Sequence, residues 1–239
     1  MGVDLNIEEN EHGYTPLTLA LVLGHEWAAI ELLKAGKQLL LFHSFPFPHH
    51  TIAGAKVRVA ARNGRTPMFV AAEKGLSEVI RIMINECGVD INEPVVLPSG
   101  LRLLHVAAFH KQPQIVSLLI SMGAAIDVLD DEGGYNPLTM AIIGSNVSAA
   151  LELINAGANL NIVSQAGRSP LYVAIEKGLT EVVRVLVEKR KVDINAATTR
   201  EARYLFVNLF TNTNSLNHSR IPIVLRSPST LQYYTIKVI

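Results

Sequence analysis

The chain has 239 residues, of which 21 are Lys or Arg and 21 are Asp or Glu, so it carries no formal net charge. That balance leaves no field to gather nucleic acid or an anionic membrane surface, which excludes those classes as first readings and favours protein partners or small ligands. One cysteine, Cys87, rules out an internal disulfide framework and a zinc knuckle and fits a reducing compartment; it reads as a small, partly buried hydrophobe.

The opening MGVDLN lacks a secretory signal, and Asn6 stands where a myristoylation signal prefers Ser or Thr. No apolar run approaches the ~18 to 20 residues that span a bilayer. The expectation is a cytoplasmic or nuclear protein without membrane insertion. Internal similarity is strong. GRTPMFVAAEKGLSEVIRIMI from Gly64 aligns without a gap on GRSPLYVAIEKGLTEVVRVLV from Gly167, a shift of 103, and GYTPLTLA from Gly13 aligns on GYNPLTMA from Gly134, a shift of 121. Anchors at Pro16, Pro67, Leu103, Pro137 and Pro170 define five units with steps of 51, 36, 34 and 33.

In chain order, each unit reads as turn, helix, turn, helix. Thr15, Thr66, Asn136 and Ser169 each precede the proline, placing a capping side chain before a residue whose missing N–H costs nothing at the first helical position. The first helix stops at Gly24, Gly75 and Gly178, where glycine enters the left-handed region cheaply. Second helices follow, with apolar residues such as Val79, Ile82, Met83 and Val182, Val185, Leu186 at helical spacing, ending near Gly36, Gly88, Gly123 or Gly157. Trp27, the sole tryptophan, falls on the second helix of the first unit and reads as core packing. Helices this short bury an apolar face only by stacking, which calls for at least three units.

The pattern G-x-T-P-L-x-x-A-A, then G, then x-x-V-V-x-x-L-L, then G-A-D-V-N resembles the ankyrin repeat, and it covers roughly residues 1 to 200. The implied fold is an all-α solenoid of stacked helix-turn-helix units with an irregular C-terminal tail. This sequence departs from the family pattern in two ways. The family's His after T-P-L is present only as His105, with Thr18, Phe69, Thr139 and Tyr172 in that slot elsewhere, and repeat three has Arg102 and Leu103 in place of T-P. His105 reads as a residue that satisfies turn backbone groups and not as a catalytic base.

The resemblance implies that a partner protein binds along the turns and the first helices. Carried over slot by slot, the exposed positions are Tyr14 in repeat one; Arg62, Asn63, Arg65, Glu73 and Lys74 in repeat two; Phe109 and His110 in repeat three; Glu132 and Tyr135 in repeat four; and Gln165, Arg168, Glu176 and Lys177 in repeat five. Arg and Tyr join contact area to directed hydrogen bonds, which singles out Arg65, Tyr135, Arg168 and Tyr14.

The first step exceeds the family period by 18 residues, and deleting 37–54 restores the pattern and brings the two long-range shifts into agreement at 103. Repeats one and two then match repeats four and five as one duplicated block. The inserted KQLLLFHSFPFPHHTIAG reads first as a retained intron, and otherwise as a binding loop. His43, His49 and His50 within it have no spacing that fixes a metal-ligand set. The domain expectation is therefore an array over 1–200 with an insertion at 37–54, then an irregular or disordered tail over 201–239. That tail reads as a degenerate cap, a disordered segment or translated non-coding sequence.

GVDLN near Met1 occupies the slot that closes a preceding repeat, so the chain reads either as a fragment of a longer product or as beginning with a worn cap. No phosphate loop, H-E-x-x-H or G-x-S-x-G motif is present. Asp130, Asp131 and Glu132 lack the spacing of a calcium loop and read as a solvated turn. The expectation is no catalysis, no cofactor and no metal. The rival reading is a regulatory segment of a larger ankyrin-containing enzyme, ubiquitin-ligase adaptor or channel.

Overall fold

A computed structural model describes residues 11–40, 57–96, 98–189, 222–226 and 231–235, with side chains described at 11–35, 57–96 and 98–187. Residues 41–54 of the expected insertion, its three histidines included, and most of the expected tail lie outside these. The chain divides into two compact units, Met1–Ala158 and Asn159–Ile239.

The first unit is built from four helix pairs: α1 (Pro16–Val22) with α2 (Glu26–Leu40), α3 (Pro67–Lys74) with α4 (Ser77–Asn85), α5 (Leu103–Phe109) with α6 (Pro113–Ser121), and α7 (Pro137–Ile143) with α8 (Val147–Asn155). The first helices stack in the order α1, α3, α5, α7, and the second helices stack beside them as α2, α4, α6, α8. Between the second and third pairs a short antiparallel hairpin joins β1 (Pro94–Val96) to β2 (Leu101–Arg102).

Capping explains why each first helix begins where it does. The side-chain oxygens of Thr15, Thr66 and Asn136 accept the N–H of Thr18, Phe69 and Thr139 at 3.3, 3.2 and 3.0 Å. In repeat three, which lacks T-P, α5 starts in the same slot at Leu103. There the N–H of Arg102 donates to His105 Nδ1 at 3.1 Å, so a side chain inside the helix reaches back to satisfy the residue that precedes it, the reverse of the bond made in the other repeats. The interior comes from the inward faces of both layers: Leu17, Leu21, Ile80, Met83, Leu103, Ile115 and Leu119 are fully buried, each contributing about 1.5–3 kcal/mol relative to exposure.

Three expectations need correction. Trp27 is 76% exposed and not in the core. Its slot, eleven residues past the proline anchor, holds Glu78, Gln114, Ser148 and Glu181 in the other repeats, all exposed, so the register of the helix outweighs the residue's bulk. The second helix of repeat one does not end near Gly36 but continues to Leu40, because Lys37, Gln38, Leu39 and Leu40 are good helix formers that offset one interior glycine. Finally, Asp130 is no solvated turn residue: it is buried, and its carboxylate accepts the N–H groups of Gly133, at 3.1 Å, and of Tyr135.

The second unit contains a fifth pair, α9 (Pro170–Glu176) and α10 (Thr180–Arg184), followed by a π-helical turn at Val185–Lys189. Ser169 Oγ accepts the N–H of Tyr172 at 3.2 Å, the same cap again. Within the segment expected to be irregular, β3 (Pro222–Arg226) and β4 (Leu231–Thr235) pair antiparallel with Val224 opposite Tyr233. No described helix is long and apolar enough to cross a membrane.

Candidate partner-binding face

Repeat two supplies the most organised part of the face. The turn Arg62-Asn63-Gly64-Arg65 is closed by the N–H of Arg65 donating to Asn63 Oδ1 at 3.1 Å, an Asx turn that the sequence N-G-R favours. Arg65 thereby leaves the turn in line with one side of α3. Its guanidinium sits 4.8 Å from the centroid of the Phe69 ring, and its Nη1 reaches both carboxylate oxygens of Glu73, at 3.1 and 3.4 Å. Phe69 and Glu73 are four apart and share one face of α3, and Arg65, just ahead of the extended cap residue Thr66, reaches along that face from the turn.

Repeat three extends this cluster. His110 packs edge-on against Phe69 and Phe109, at centroid distances of 5.8 and 5.2 Å, and its Nδ1 lies 3.7 Å from Glu73 Oε1. Burial lowers its pKa, the neighbouring Arg65 charge lowers it further, and Glu73 opposes both. His110 is therefore mainly neutral at pH 7, and its contact with Glu73 is not an ion pair. Gln112 ties the two repeats together by donating from Nε2 to the Glu73 carbonyl at 2.9 Å.

Toward repeat one, Tyr14, Val22, Asn63, Arg65, Val70, Glu73 and Lys74 line a cleft of about 290 Å³. Five of these, Tyr14, Asn63, Arg65, Glu73 and Lys74, are candidates from the sequence. Arg62 flanks the cleft, its N–H donating to the carbonyl of His12 at 3.1 Å. Farther along the stack, Phe109 is exposed, Glu132 is exposed on its turn, and Tyr135 is half-buried. The carbonyl of Tyr135 receives His105 Nε2 at 3.1 Å, which places the residue in the structural frame of the turn as well as on its surface.

In the second unit, Arg168 Nη1 lies 3.3 Å from Glu176 Oε2, and its guanidinium lies 5.7 Å from the Tyr172 centroid. The trio Arg168, Tyr172 and Glu176 thus repeats Arg65, Phe69 and Glu73 at a shift of 103 residues. Gln165 and Lys177 beside it are exposed. Phe69, Tyr172, Val22 and Val70 belong to this face but are absent from the sequence candidates. They lie in slots where the family pattern carries His or core residues, and the aromatic in the His slot four residues after an Arg was the available signal.

The geometry has a counterpart in known sequences. The model for ankyrin repeats in three copies matches residues 38–130 and 104–198, which together cover most of the chain. The chain belongs to the ankyrin-repeat family. The chain is similar to the B-cell lymphoma 3 protein of Homo sapiens, 29% identical over 200 residues, covering 74% of this chain and 44% of that protein. The Mus musculus homolog is 28% identical over the same extent. The nuclear factor NF-kappa-B p105 subunit of Gallus gallus is 23% identical over 178 residues, covering 74% of this chain and 16% of its own length. The chain spans less than half the length of these curated relatives. Ankyrin repeats are protein-interaction modules, and the described face has the mixed charged and aromatic character such a module uses.

Proposed function

We propose that this chain is a non-catalytic scaffold of the cytoplasm or nucleus that binds a partner protein through its repeat turns and the exposed side of its first helices. The observation that carries the reading is the Arg65, Phe69 and Glu73 cluster beside the cleft. An arginine held on a ring and a carboxylate loses little conformational freedom on binding, and pre-ordered Arg and aromatic side chains are the types that dominate interface energetics. Tyr14, Arg62, Asn63, Lys74, Phe109, His110, Glu132 and Tyr135 contribute in the first unit, and Gln165, Arg168, Glu176 and Lys177 form the matching surface of the fifth repeat.

A second reading, that the array is the regulatory segment of a larger protein, is favoured by the length of the relatives, of which the chain covers 44% or less. Both readings use the same face. Quantitative affinity purification of the full chain from native cells, comparing wild type with Arg65→Ala/Arg168→Ala and with a Glu78→Ala/Gln114→Ala control on the second helices, tests it. A protein retained by wild type and control but lost from the arginine variant is expected. Equal retention by all three would remove this face from the account.

A further inference from the structure

We infer that the cleft between repeats one and two is a subsite for an acidic side chain of an extended partner segment, with an apolar neighbour of that side chain laid on Val22 and the ring of Tyr14. The inference rests on the partner-binding reading above and specifies the chemistry of its occupant. The lining divides by function. Val22 and the ring of Tyr14 supply apolar wall, with the buried Val70 beneath them, while Lys74, Arg65, Asn63 and the Tyr14 hydroxyl supply donors.

The one carboxylate in the cleft is already committed: Glu73 takes Arg65 Nη1 on both oxygens and has His110 Nδ1 at 3.7 Å. Asn63 likewise spends its carbonyl oxygen on the N–H of Arg65, which leaves its NH₂ to donate. Among the described residues Lys74 has no ion-pair partner, although it is exposed at the rim of the same cleft. Donors therefore exceed acceptors, and one positive charge stands uncompensated. A cationic side chain entering here would meet Lys74 and find its counter-charge already paired, whereas a carboxylate would gain charge-assisted hydrogen bonds from groups that are held in place.

Size points the same way. At about 290 Å³ the cleft lies at the bottom of the range for small-molecule sites, which suits one or two side chains of a polypeptide. Repeat four has Ile143 and Gly144 where repeat two has Glu73 and Lys74, so the charge pattern is particular to this position in the first unit.

The test uses a random peptide library displayed on phage, selected on the full chain and on Lys74→Glu. Wild type is expected to enrich peptides with Asp or Glu next to an aliphatic or aromatic residue, and Lys74→Glu is expected to exchange that acid for Lys or Arg. A synthetic peptide from the wild-type selection should bind Lys74→Gln roughly three- to tenfold more weakly. Circular dichroism of both variants should match wild type, since Lys74 is exposed. Enriched peptides without acidic bias, or with affinity indifferent to Lys74→Gln, would overturn the subsite while leaving the general reading intact. A selection that enriches nothing would also overturn the subsite, and the affinity purification described above would then decide the general reading separately.

Discussion

Arg65 and Glu73 are joined across two turns of polypeptide, Nη1 to Oε2 at 3.1 Å, over the ring of Phe69; Arg168 and Glu176 repeat the arrangement at 3.3 Å beside Tyr172. The two trios occupy corresponding places in the duplicated sequence. They occur with Phe in one copy and Tyr in the other, so the arrangement forms with or without a ring hydroxyl.

These pairs contribute little to folding. Arg65 and Glu73 are both partly exposed, and a screened pair of this kind is worth about 0.2–1 kcal/mol, with a ring contact adding about 0.5–1 kcal/mol. Arg65→Ala and Arg168→Ala should therefore lower stability by no more than about 2 kcal/mol each in urea unfolding, while weakening partner retention. A double-mutant cycle of Arg65→Ala with Glu73→Ala should return a coupling of about 0.5 kcal/mol.

His105 should make the array sensitive to mild acid. It is fully buried; Nδ1 accepts from the N–H of Arg102, and Nε2 therefore carries the proton given to the Tyr135 carbonyl. Burial is the main cause that lowers its pKa below 6.5; Arg102 adds to this, and the Tyr135 and Val128 carbonyls and the Asp130 charge oppose it. A depressed histidine pKa means that the unfolded chain takes up the proton first. Its contribution to stability is thus complete above the unfolded value of 6.5 and declines as pH falls below it. Unfolding free energies measured between pH 7 and 5 should fall with pH, and His105→Gln should reduce that slope; His110, also depressed by burial, acts in the same direction.

Trp27 provides a direct optical check on register. An indole 76% exposed should emit close to the position of free tryptophan in water and be quenched by iodide in the folded chain. Trp27→Gln should change stability by within about 0.5 kcal/mol, the range for surface positions away from special features. A blue-shifted, unquenched emission would show instead that the residue is packed.

Two backbone positions should accept glycine with a gain. The slot after the first helix is left-handed in every repeat: Gly24, Gly75 and Gly178 occupy it in three, but Lys111 has φ 60° and Ser145 φ 54° in the others. A side chain there costs about 1–2 kcal/mol, partly offset by the extra chain entropy glycine loses on folding. Lys111→Gly and Ser145→Gly should each raise stability by about 0.5–1 kcal/mol in denaturant titrations.

The T-P type anchors made the start of four first helices legible, because capping depends on residues within three positions of each other, and the start at Leu103 was legible only from the repeat spacing. The cluster around Phe69 was half legible: Arg65 and Glu73 stand out by exposure slot, whereas the ring between them and His110 from the next repeat meet only through stacking. Trp27 was misread because residue type was weighed before its slot, and the alignment with Glu78, Gln114, Ser148 and Glu181 held the answer. Asp130 was misread because its partners are backbone N–H groups of its own turn, which leave no trace in side-chain composition. The run of α2 through Gly36 reflects local propensity prevailing over a repeat boundary that glycine usually marks.

The most direct test of partner binding through the turn and first-helix face is site-specific photo-crosslinking in native cells, with a benzophenone amino acid replacing Tyr14, Phe109 or, on the second-helix layer, Gln114. Positions 14 and 109 should each give a discrete adduct to another protein, and position 114 none. Adducts from position 114 alone would place the interaction on the opposite layer and contradict binding through that face.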